Sequence, residues 1–218
     1  MKATSLSLSA LLASVLFTAP FGASAAAPAH EEYVAHLQSM NHDAAGSATT
    51  GEVRFTINGD EVTIDIRVHG APPDTVHWQH FHGFATGQAA SCPTAAEDIN
   101  HDGIADLIET GKASGTTMVP FDSEPAAMDV AHGTYPKADA HGAYHYRQTV
   151  SLKALDAAFA KAFPGQQLDL DKRVVFIHGV PAGQALPASV ASLGSIPAQV
   201  TLPIACGKIE RAAARPAD

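Results

Sequence analysis

The sequence predicts an all-β domain, a Greek-key sandwich or barrel with long loops and one inserted helix. Three observations predict it. Apolar residues alternate with polar ones in Val53/Phe55/Ile57 and Val62/Ile64/Ile66/Val68, on either side of Asn58-Gly59-Asp60, the period-two pattern of a half-buried hairpin. Short strand-like runs recur at 75–84, 143–152, 173–179 and 198–209. Helical spacing appears in "LKALDAAFAKAF", where Leu155, Ala158, Phe159 and Ala162 share a face before Pro164 and Gly165, so one helix is inserted among strands.

The N-terminus comes first along the chain. Lys2, the apolar run from Leu6 to Phe21, and Ala23 and Ala25 in "GASA" have the layout of a secretory signal over residues 1–25. A secreted or periplasmic product without a membrane span is the expectation. Residues 26–50 are read as an N-terminal segment in which "HEEYVAHLQSMNH" gathers His30, His36, His42 and Met40. Imidazole and thioether could recruit copper, but a surface helix is the plainer reading. The main domain spans 51–209, and 210–218 reads as a flexible tail.

With 218 residues, 46% of them hydrophobic, the chain suffices for one core and is short for two. Its formal net charge of -9 repels phosphate backbones, which argues against a nucleic-acid partner. Ser91 and Ser114 lie in no nucleophile-elbow context, which argues against a serine hydrolase. Cys92 and Cys206 are an even pair. In an exported chain that is most simply a disulfide, with two buried thiols as the alternative.

Two stretches carry candidate chemistry. In "HWQHFHGF", His77, His80 and His82 fall within six positions, and alternation aims His80 and His82 to one side of a strand. Imidazole suits copper and zinc, and a histidine from another strand can complete such a site. Residues 85–142 then form a long loop region rich in Gly, Ala, Ser, Thr, Pro and Asp. Within it "DINHDGIADLIE" fits the EF-hand-like calcium template. Asp98, Asn100, Asp102, Asp106 and Glu109 stand at the side-chain ligand positions, Gly103 at the turn, and Ile104 would offer its carbonyl.

The order of these features resembles the copper/zinc superoxide dismutase family: "GEVRF", then "HWQHFHGF", a loop cysteine, "ADAHGAYHYRQTVSL", "VVFIHG" and finally "ACGKI". The resemblance covers most of 51–209 as short motifs in shared order. It implies a superoxide dismutase-like fold, copper on His80, His82 and His178, and His77 as a neighbour that hydrogen-bonds backbone behind the ligands. It also implies a bond from Cys206 to Cys92, and superoxide as a substrate. The chain departs from the family at three points. Pro203 stands where the family has an arginine that draws in the superoxide anion. The histidine that bridges copper to zinc has only His101 or His132 as candidates by order. A zinc site would need two more histidines and an aspartate, and His132, His141 and Asp139 have a different spacing. The alternatives are a non-enzymatic copper-handling protein and a calcium-stabilised extracellular module of the CHRD type, which would not require the Cys92 to Cys206 pairing.

Overall fold

The computed structural model describes residues 30–213; the expected signal peptide and the end of the tail lie outside them. The predicted hairpin is β2 (Thr50–Asn58) against β3 (Glu61–His69), with Asn58 opposite Glu61. Gly59 takes the turn at φ +59°, a conformation that glycine adopts without a Cβ penalty. β4 (Gln79–Gly83) follows, then β5 (Thr116–Pro120), β6 (Tyr144–Ser151), β7 (Val174–His178) and β8 (Pro203–Arg211). All pair antiparallel in one eight-stranded sheet, which curls into a half-barrel with β5 and β6 at its edges. Between the edges, the Tyr146 hydroxyl donates to the carbonyl of Asp122.

The first strand corrects the domain boundary. Residues His30–Ser39 are neither a separate segment nor a surface helix but β1, paired with β2 on one side and β8 on the other. Ala35 and Leu37 are buried while His36 and Gln38 face solvent. The alternation is present, but histidine and glutamate at the outward positions obscure it. The tail is corrected as well: β8 runs to Arg211, whose guanidinium donates to Glu31 and Tyr33. The strand expected over 198–209 begins instead as a helical turn, α4 (Ala198–Thr201). A second short turn, α1 (His42–Ala45), follows β1.

One face of the curled sheet encloses the main core, which includes Phe55, Ile64, Ile66, Phe81, Phe121, Val175, Ile177 and Ile204. The inserted helix is α3 (Leu152–Ala162), capped by Ser151 and buried through Leu155 and Phe159. The Phe159 ring lies 6.1 Å from Phe81, so the helix covers this core. The loop region is more ordered than its composition suggests. It contains α2 (Leu107–Ser114), started by Asp106 and Glu109 in a reciprocal capping box, and then edge strand β5. Such caps satisfy amide donors at a helix start. Arg173 is fully buried, with no carboxylate partner among the described residues. Its guanidinium donates to the carbonyls of Leu168, Gln167 and Phe84, which pins the connection after α3 to the strand that carries His178.

Candidate metal centre

Because side chains alternate along a strand, Phe81 enters the main core while His80 and His82 point to the outer face of the sheet. His178, the last residue of β7, reaches the same face. Pairing is irregular at Phe81/His82 toward β5 and at Ile177/His178 toward β8; such irregularities re-aim side chains. The outer face is covered by a smaller apolar cluster of Ala90, Val174, Phe176 and Cys206, flanked by Met40, Phe84 and Cys92. Cys92 and Cys206 form a disulfide, which ties the covering loop to β8. The Phe176 ring stands 4.6 Å from that of His82 and 5.5 Å from that of His178.

The three histidines form a group whose ligand atoms all lie within 4.8 Å of one another. His80, His82 and His178 are 3%, 2% and 2% exposed. Their ring centres are 4.6 Å apart for His80 and His178, and 5.0 Å for His80 and His82. His80 Nδ1 lies 3.1 Å from His82 Nε2. Two nitrogens sharing one ion at about 2.0–2.1 Å in tetrahedral geometry stand about 3.4 Å apart, so this pair needs little rearrangement to share a metal.

The electrostatics point the same way. Burial pushes His80 and His82 well below the usual histidine range, with the neighbouring histidines adding to it, and burial pushes His178 down to about 4. All three rings are therefore neutral at pH 7, as metal ligation requires. His178 Nδ1–H donates to the carbonyl of Thr201 at 2.7 Å, which leaves its Nε2 as a buried lone pair without a partner. His82 Nε2 also meets the Thr117 hydroxyl at 3.1 Å. Its Nδ1 is buried without a hydrogen-bond partner. Unpartnered polar atoms this deep are costly unless something binds them.

His77 is fully buried behind the trio. Its Nδ1 lies 3.1 Å from the carbonyl of His178 and its Nε2 3.0 Å from that of Pro72, and its ring stacks on Tyr144 at 5.7 Å. It thus holds the backbone of β7 at the point where His178 projects.

No family model matches the chain, and no curated protein matches it. The chemistry of the site therefore rests on its own residues.

Other expected residues stand apart from the trio. His101 is exposed at φ +60°, and His132 is exposed with its Nδ1 3.0 Å from Asp129. Among the described residues the metal-holding group is His80, His82 and His178 alone, so neither His101 nor His132 joins it. The residues considered for zinc do not assemble either: His141 is exposed, and the Asp139 carboxylate accepts from the backbone N–H of His141 and Ala143. The Asp139 carboxylate turns toward its own loop because the turn's amides are its nearest partners. Pro203 lies opposite His178 in the β7–β8 register and is buried, its carbonyl accepting from Asn41.

The 98–109 loop folds as a turn that passes into α2, with its side chains facing backbone amides. Asp98 accepts from the N–H of Asp102 and Gly103, Asn100 from Asp102, and Asp102 from Ile104. Asp106 accepts from Ile108, Glu109 and Ala191, and Glu109 from Ile99, Asn100 and Asp106. Ile104 is buried in the main core. Sequence reasoning missed Thr117 and Phe176, both in contact with the histidine rings.

Proposed function

We propose that the chain is an exported copper-binding protein of the superoxide dismutase-like type, with His80, His82 and His178 as copper ligands and His77 as their backbone anchor. The observation that carries this reading is the trio itself: three neutral, buried imidazoles on one face, two of which, His82 and His178, have an unpartnered ring nitrogen. Imidazole also suits zinc, and the shared order of motifs favours copper. The Cys92–Cys206 bond favours this reading over a CHRD-type module, which does not require it. Titration of the metal-free chain with cupric ion tests the proposal. One equivalent should bind with nitrogen hyperfine structure in the electron paramagnetic resonance spectrum, and His178→Ala should abolish it; a spectrum unchanged by His178→Ala refutes it.

Bound copper would supply a one-electron couple able to oxidise and reduce superoxide in alternate turns. The chain's own contribution is to hold neutral ligands, to fix His178 through Thr201 and His77, and to exclude bulk water with Phe176. Pro203 provides no cation beside His178, and the trio is at most 3% exposed. These two features favour the second reading, a copper-handling protein without rapid turnover. A superoxide assay of the loaded chain separates them: fast dismutation supports the enzyme, and none supports holding.

Calcium in the 98–109 loop is part of the same proposal. Its support is the template match of Asp98, Asn100, Asp102, Ile104, Asp106 and Glu109, with the passage into α2 after it. Calcium would order the segment that leads to β5. Calorimetry should show binding heat that Asp102→Ala removes; no heat refutes it.

A further inference from the structure

His82 Nε2 has two partners, His80 and the hydroxyl of Thr117, each at 3.1 Å. The trio's remaining hydrogen bond runs inward, to the carbonyl of buried Thr201. Thr117 differs from all of these. It lies on edge strand β5 and is only half-buried, so it is where the polar atoms of the trio meet the more open side of the site.

A threonine hydroxyl offers one proton and two lone pairs. With the ring proton on Nδ1, the Nε2 of His82 accepts the Thr117 proton in the metal-free chain. A metal held by the trio takes that lone pair, and the hydroxyl proton must then find another acceptor. Pro203 beside His178 supplies no cationic group for an incoming anion. On the β5 side, beside His82, the chain offers a neutral donor.

We infer that Thr117 is the hydrogen-bond donor that receives a small anion at the metal centre. Its hydroxyl holds His82 Nε2 in the metal-free chain and turns to the anion once the trio is occupied. The inference rests on the proposed copper reading and adds to it a positioning residue and a ligand class. Because its donor is uncharged, the site should discriminate among small anions by size and hydrogen-bond acceptance more than by charge.

The test is azide titration of the copper-loaded chain, followed by its charge-transfer absorption, in wild type, Thr117→Val and Thr117→Ser. Valine keeps the shape and removes the hydroxyl, whereas serine keeps the hydroxyl. Loss of a hydrogen bond to a charged group should weaken azide about tenfold in Thr117→Val, with Thr117→Ser close to wild type. In the metal-free chain, the ¹⁵N resonance of His82 Nε2 should move in Thr117→Val and stay in Thr117→Ser. Equal azide affinity in wild type and Thr117→Val overturns the inference, as does an equal loss in both variants. A wild-type chain with no copper signal before azide is added overturns the copper reading and the inference together, which separates that failure from failure at Thr117.

Discussion

Gly115→Ala is the substitution whose effect the structure sets most sharply, and Gly103→Ala is its control. Gly115 ends α2 at φ +75° and ψ -143°, a region that residues with a Cβ rarely enter. A Cβ there would lie 2.2 Å from the carbonyl oxygen of Gly83 and 3.0 Å from the Phe84 nitrogen. Both are backbone atoms that no rotamer change can clear. Gly103 has φ +86° with nothing within 4 Å of a Cβ. Both alanines carry conformational strain of about 1–3 kcal/mol. Gly115→Ala must in addition displace the end of β4, which adds about 1–3 kcal/mol by the scale of overpacked sites. In urea unfolding followed by circular dichroism, with chelator present, Gly103→Ala should lose about 1–3 kcal/mol and Gly115→Ala about 2–6 kcal/mol, the difference between them being about 1–3 kcal/mol. Gly83 directly follows His82, so Gly115→Ala should also weaken copper binding while Gly103→Ala leaves it intact. Equal stability losses within about 0.5 kcal/mol would refute the steric argument.

Three further outcomes are expected. Cys92→Ser/Cys206→Ser opens a link across 114 residues and should lower stability by about 4–5 kcal/mol in the chain-entropy description; a denaturation midpoint unmoved by the double substitution contradicts it. The metal-free chain should lose stability on acidification. Burial depresses His178 from 6.5 to about 4, so its contribution is complete above pH 6.5 and lost as pH falls toward 4, where the unfolded chain binds the extra proton. This one ring accounts for about 3 kcal/mol, read as a falling unfolding free energy across that window; a flat profile there contradicts it. Phe159→Ala, which removes the anchor of α3 from the main core, should lose about 3–5 kcal/mol in thermal or urea unfolding with little change in copper stoichiometry.

Much of the fold was legible because its signals are local. The β2–β3 hairpin, β6 and α3 show themselves by period and by turn or cap residues. β1 escaped because histidine, glutamate and glutamine side chains occupy most of its outward positions, leaving Tyr33, Ala35 and Leu37 as a weak inward signal. β5 and α2 escaped because "LIETGKASGTTMVP" is short and small-residue-rich. β5 gains its strand character by pairing with β4, and α2 starts from a cap formed by Asp106 and Glu109. For the site, the spacing of His80 and His82 already placed them on one side of a strand. His178 entered through the family resemblance, since a lone histidine at the end of an apolar run carries no spacing signal. Thr117 had none either: its role arises from the register of β5 against β4, which sets its hydroxyl beside His82.

The central claim is that the buried histidines are ligands and not a structural cluster. It is tested most directly by the metal content of the purified chain after copper loading and dialysis, compared with His80→Ala/His82→Ala. One copper per chain in wild type, absent from the variant, is the expected result. Copper absent from wild type, or retained by a folded variant, would contradict the account.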